Sequence, residues 1–162
     1  MNVQVVGYRA EYSAAFATLN YHWIEQYFQV EEEDVKALED PTGYALNPGG
    51  NIFFVLVDDE VVGCAAIVPK EPGVFELAKM AVRPSHQGRG LSHLLMDACI
   101  GFAKNAGAQE VMLLTNSVLT PAVTLYEAAG FVASPTINDH RYARGNLEMH
   151  LRLAPAQTNP SV

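Results

Sequence analysis

The chain has 162 residues, 49% of them hydrophobic, which is enough for one domain with a substantial core. Its formal charge of −8 disfavours nonspecific binding to nucleic acid or to an anionic membrane, and mildly favours an amine-bearing ligand, though many soluble proteins are simply acidic. Cys64 and Cys99 form no disulfide framework, no signal-peptide pattern opens the chain, and no apolar run nears the ~20 residues of a membrane span. These features read as a cytoplasmic protein with two buried, reduced thiols.

Residues 3–8 suggest a first strand. Tyr12, Phe16, Leu19, Trp23 and Tyr27 then recur every three to four positions, as on a helix. Glu31, Glu32, Glu33 and Asp34 open a short helix that carries Val35 and Leu38; acids suit a first helical turn, so the run calls for no functional explanation. Asp40-Pro41-Thr42-Gly43 ends it, and Asn47-Pro48-Gly49-Gly50 marks a loop. Residues 52–57 and 61–68 form a hairpin, and 74–82 a further strand. A helix follows with a stripe of Leu91, Leu94, Leu95, Ala98 and Phe102, stopped by Gly107. Residues 111–115 are a strand. Thr120 caps a helix with Pro121 at its first position, Ala122, Leu125, Tyr126 and Ala129 on its inner face, and Gly130 at its end. Strands at 131–133 and 146–153 close the sheet, and 155–162 reads as a loose tail after a single domain, 1–154. The order β-α-α-β-β-β-α-β-α-β-β implies an α/β fold, a mixed sheet with helices on both faces.

Gln87-Gly88-Arg89-Gly90-Leu91-Ser92 lies between a strand and a helix. Two glycines there can free several amide N–H groups to point one way, beside the positive end of a helix: an anion site for a phosphate or pyrophosphate. A tight βα turn without a ligand reads the glycines equally well. No G-x-x-x-x-G-K-S/T is present, and His93 stands where a dinucleotide loop has its third glycine.

The segment from Leu77 to Met96 resembles the acyl-coenzyme A signature of the GNAT family of N-acetyltransferases, Gln/Arg-x-x-Gly-x-Gly/Ala, with Gln87 and Gly90 matching and Ser92 in place of the usual Gly or Ala. A second segment, 115–131, resembles the family's later strand–helix unit, with Leu-Tyr-x-x-x-Gly-Phe complete as Leu125, Tyr126, Gly130 and Phe131. The resemblance implies a mostly antiparallel six- to seven-stranded sheet with a splayed central parallel pair. It implies acetyl-CoA as co-substrate, with the pyrophosphate on Gln87, Gly88, Arg89, Gly90, Leu91 and Ser92, and the pantetheine arm along Met80, Ala81 and Val82. An amide N–H near Met80 would polarise the thioester carbonyl. Asn116 is either a pantetheine contact or a plain strand-end residue.

Tyr126 matches the tyrosine that protonates the leaving thiolate in the family; its other reading is a core tyrosine on an apolar stripe. Period-two alternation puts Val74, Glu76, Ala78, Met80 and Val82 on one strand face, so Glu76 is a candidate base or else a salt-bridged glutamate. Trp23, Glu25, Tyr27, Glu31 and Asp34 lie where the family builds its acceptor wall, and the segment from Arg141 to Asn146, with Arg141 as its candidate, is expected at the same cleft; such a rim suits a zwitterionic or amine-bearing molecule, although each residue alone reads equally as structural. The expected partner is a small-molecule or peptide amine, with no nucleic acid or membrane; homodimers are common in the family. The five histidines show no ligand spacing, so no metal is expected. A non-catalytic acyl-CoA-binding sensor is the alternative reading.

Overall fold

The computed structural model describes residues 1–154, so the expected tail lies outside the described residues. Strand β1 (Val3–Val6) leads into helices α1 (Ser13–Tyr27) and α2 (Glu32–Glu39), then β2 (Asn51–Val57), β3 (Glu60–Glu71) and β4 (Val74–Val82). Helix α3 (Leu91–Asn105), β5 (Glu110–Thr115), α4 (Thr120–Ala128), β6 (Val132–Ala133) and β7 (Leu147–Arg152) complete the order, which agrees with the expected one. Residues 42–46, expected within a loop region, form a further helical turn.

The seven strands make one open sheet in the order β1-β2-β3-β4-β5-β7-β6. Every neighbouring pair is antiparallel except β4 and β5, which run parallel. That parallel ladder covers only Val74, Phe75 and Glu76 against Glu110, Val111 and Met112. Beyond it the two strands part, as the splayed pair implied.

The sheet is covered on both faces, and β2 and the middle of β3 are apolar at successive rather than alternate positions. Ile52, Phe54 and Leu56 of β2, with Cys64 and Ala66 of β3, pack under Phe16 and Ile24 of α1 and Leu38 of α2. Val55, Val57, Ala65 and Ile67 face the other way, toward Leu91, Leu95, Cys99 and Ala103 of α3 and Tyr126 of α4. A Cβ on Gly63 of β3 would stand 3.3 Å from Leu95 and 2.8 Å from Val55, so this glycine lets α3 sit close on the sheet.

Three sequence readings are corrected in detail. The inward stripe of α3 is Leu91, Leu95, Cys99 and Ala103, and Leu94 is exposed. In α1 the buried line is Phe16, Asn20 and Ile24; Asn20 is fully buried because its amide bonds the Phe16 carbonyl at 2.9 Å and Trp23 Nε1 donates to its Oδ1 at 3.1 Å. In β4 the alternation breaks at Lys79, whose φ is 54°. Cys64 pairs with Ala81 and Ala66 with Ala78, leaving one extra residue on β4. That bulge sends Met80 and Val82 toward α3, while Glu76 and Ala78 share the face of their partners Val68 and Ala66.

Leu95 is fully buried at the centre of the α3 contact. Leu95→Ala should lower unfolding free energy by about 2–5 kcal/mol, read as a lower urea midpoint with an unchanged slope.

Candidate active site

The parting of β4 and β5 opens a cleft of about 750 Å3 that runs from the glycine loop at one end to α1 and the 142–145 segment at the other. At the loop end a single turn at Pro84–His86 leads to Gln87, whose side chain donates to the Val82 carbonyl at 3.1 Å and ties the loop to β4. Gly88 and Gly90 have φ of 77° and 78°, and a Cβ on either would meet nothing within 4 Å. The left-handed backbone, not crowding, is what demands glycine there. No turn or cap hydrogen bond among the described residues uses the amides from Gly88 to Ser92, and Gly90 caps α3 without a side-chain bond. The first-turn N–H groups of α3 likewise have no intrahelical acceptor. These donors, with the helix dipole, form an anion cradle opening on the cleft.

Tyr126 of α4 lines the middle of the cleft and stacks edge-on against Phe131, ring centroids 5.9 Å apart. Its hydroxyl has no hydrogen-bond partner among the described residues, yet no buried polar side-chain atom there lacks one, so the hydroxyl reaches the open cleft. Burial pushes its pKa up to about 12.

The far end is a network of charges. Asp34, fully buried in α2, accepts from Lys79 Nζ at 2.7 Å and is held on both oxygens by Arg144, at 2.7 and 2.5 Å. Burial alone would raise this carboxyl; the hydrogen bonds from Arg144 and Lys79 reverse the effect and bring it down to about 2. Burial lowers the Lys79 pKa despite its bond to Asp34. Tyr142 takes a third contact of the network, from Lys79 Nζ at 3.0 Å. Beside it, Glu76 accepts from Arg141 at 2.6 Å through Oε2, and Arg141 also grips Asp139, which Lys70 holds at 2.8 Å.

The expected site residues divide accordingly. Gln87, Gly88, Gly90, Leu91, Ser92, Met80, Val82, Tyr126, Glu76, Trp23, Tyr27 and Asn116 all line the cleft. Arg89 is exposed and touches Met1 instead, and Ala81 is buried toward α1. Both ends of the Asn116 amide are engaged, with the Arg144 carbonyl at 2.7 Å and the Val118 amide at 2.9 Å. Glu25 is exposed and does not line the cleft. Glu31 caps α2 and bonds the Ala143 amide and Arg144, and Arg141 is spent on Glu76 and Asp139. Tyr142 and Arg144, of the 141–146 segment expected at the cleft, line it, and Lys79 and Tyr44 join unannounced by any motif. Among the described residues no group of three or more His, Cys, Asp or Glu could hold a metal ion, and no helix is long and apolar enough to cross a membrane.

Residues 16–131 match the Acetyltransferase (GNAT) family. N-acetyltransferase family 8 member 2 of Rattus norvegicus is 31% identical over 99 residues, 58% of this chain and 44% of that protein. The chain spans about half the length of the curated relatives it matches. An acetyltransferase of the GNAT family from Staphylococcus aureus Mu50 superposes with a TM-score of 0.85 at 17% identity, over 94% of this chain and all of that one. The Salmonella typhimurium protein YncA, solved with its cofactor acetyl-CoA, superposes with a TM-score of 0.74 at 17% identity over the whole of both chains.

Asp34→Asn leaves Lys79 buried without its counter-charge and should cost about 3–5 kcal/mol near neutral pH. A carboxylate lowered from 3.8 to about 2 stabilises the fold fully above pH ~4 and loses that contribution as pH falls toward 2. Urea midpoints of wild type and variant should therefore converge between pH 5 and 2.

Proposed function

The chain belongs to the acetyltransferase (GNAT) family, and on that premise we propose that it is an acyl-CoA-dependent N-acyltransferase, moving acetyl from acetyl-CoA to a primary amine of a small molecule or peptide by direct attack. One observation carries the reading: a single cleft joins an anion cradle of free amides to an open carboxylate, with a protonated phenol on its wall.

The residues fit the co-substrate. The free amides of the 87–92 loop suit a pyrophosphate, and open space over Gly88 and Gly90 admits one. Past Glu76 the β5-facing edge of β4 has no ladder partner, so its peptide groups from Leu77 to Val82 can bond an extended arm as a strand would. When bound, acetyl-CoA supplies an activated thioester.

The chain's own groups then have separable tasks. The amide of Met80, next to the bulge, is a donor for an acyl carbonyl. Arg141 fixes one oxygen of Glu76 and leaves Oε1 to take a proton from an incoming ammonium, directly or through water. Tyr126 keeps its proton across the neutral range and can give it to a leaving thiolate, because that transfer is local. Asn116 serves indirectly, by tying the strand end to the Arg144 backbone. The two free, buried cysteines accord with a cytoplasmic setting.

Coenzyme A at about 100 times its Kd should stabilise the protein by ~2.7 kcal/mol in thermal unfolding. Tyr126→Phe should keep that stabilisation and lose about a hundredfold in kcat; unchanged turnover would remove the tyrosine from the mechanism. Stabilisation without thiol release across an amine panel would favour a sensor over an enzyme.

A further inference from the structure

Resting on the acetyltransferase reading, we propose that the acceptor is an α-amino acid with an aromatic or bulky apolar side chain, its amine at Glu76 and its carboxylate at Arg144. Two polar atoms at this end of the cleft have no protein partner. Among the described residues no buried side-chain nitrogen or oxygen lacks a hydrogen bond. Glu76 uses only Oε2, and Arg144 uses only its two terminal nitrogens. Glu76 Oε1 and Arg144 Nε are therefore accessible. Both side chains are otherwise enclosed, at 6% and 13% exposure, and both line the cleft. Their free atoms open into it.

The two groups differ in what they can hold. Glu76 presents half a carboxylate, an acceptor for an ammonium. Arg144 presents its Nε–H, beside an Nη2 hydrogen that no protein group uses, on a guanidinium clamped on Asp34 and Glu31, a fixed, charge-assisted donor edge for an anionic group. The two sites share one neighbour: the guanidiniums of Arg141, bonded to Glu76, and of Arg144 stand 5.7 and 4.7 Å from the ring centre of Tyr142. One small molecule lying along Tyr142 can therefore offer its amine to one and its carboxylate to the other.

The rest of this end is aromatic. Trp23, Tyr27, Phe28, Tyr44 and Tyr142 line it, and Tyr27 is 57% exposed. Such a wall recovers buried area only from a ring or a large apolar group; glycine or alanine would leave it wet. In the transfer the amine nitrogen bonds the acyl carbon as the carbon–sulfur bond breaks. Of the two protons the ammonium loses, one goes to the departing thiolate and one to solvent by way of Glu76.

The test measures kcat/KM at saturating acetyl-CoA for L-phenylalanine, L-phenylalaninamide, 2-phenylethylamine and L-alanine. L-phenylalanine should exceed each of the others about ten- to a hundredfold. Arg144→Gln should bring the acid and its amide close to parity, with coenzyme A stabilisation reporting that the variant is folded. Tyr27→Ala, at an exposed position, should narrow the ratio of L-phenylalanine to L-alanine. Equal rates for acid, amide and decarboxylated amine, or preference for a polyamine, would overturn this acceptor class and leave the acetyltransferase reading standing. Coenzyme A binding with no turnover of any amine would overturn both.

Discussion

The backbone of Lys79 takes a φ of 54° in the middle of β4, where one extra residue is fitted between the β3 partners Cys64 and Ala66. A left-handed conformation costs a non-glycine residue about 1–2 kcal/mol. Here the side chain is anchored, with Nζ on Asp34 and on Tyr142. The bulge adds twist to β4 beyond Glu76, the last residue that pairs with β5. From that one irregularity follow the open edge of β4, the cleft, and the arrival of Lys79 against α2.

The charges at the far end extend this constraint to elements distant in the chain. Asp34 of α2 gathers Lys79 of β4 and Arg144 of the segment before β7; Glu76 of β4 gathers Arg141, which reaches through Asp139 to Lys70 of β3. Buried ion pairs contribute little net stability, since desolvation offsets most of the Coulomb gain. Their effect is geometric. They hold two guanidiniums against the Tyr142 ring and leave one atom each of Glu76 and Arg144 accessible. Four of the ten basic residues, Lys70, Lys79, Arg141 and Arg144, are drawn into this network. The net charge of −8 therefore describes the outer surface and says little about the site.

Much of the cofactor end was legible in the residues themselves. Glycines that need a positive φ at a strand–helix junction announce a loop of free amides wherever they occur, and Leu125-Tyr126 with Gly130-Phe131 marked the opposing helix. The acceptor end was legible only as a region. The 141–146 segment carries no periodic pattern; Arg141 was the residue picked from it, but Arg141 braces Glu76 and it is Arg144 that lines the cleft. Acids in the first turn of α2 looked like dipole partners, but Asp34 points inward and organises two cations.

The sequence by itself determined the element order, both apolar faces of the sheet and the anion loop, because each depends on local periodicity or on the backbone freedom of glycine. Only the tertiary structure decided the α3 stripe, the burial of Asn20, the inversion of β4 at Lys79 and the pairing of Asp34 with Lys79 and Arg144. A bulge is set by what lies across a strand, and an ion pair between residues 110 positions apart is set by the fold that brings them together. Neither has a local signature. The Gln87 to Ser92 loop was readable because its chemistry lies in consecutive amides; the acceptor site was not, because its groups meet only when β4, α2 and the 141–146 segment close around one ring.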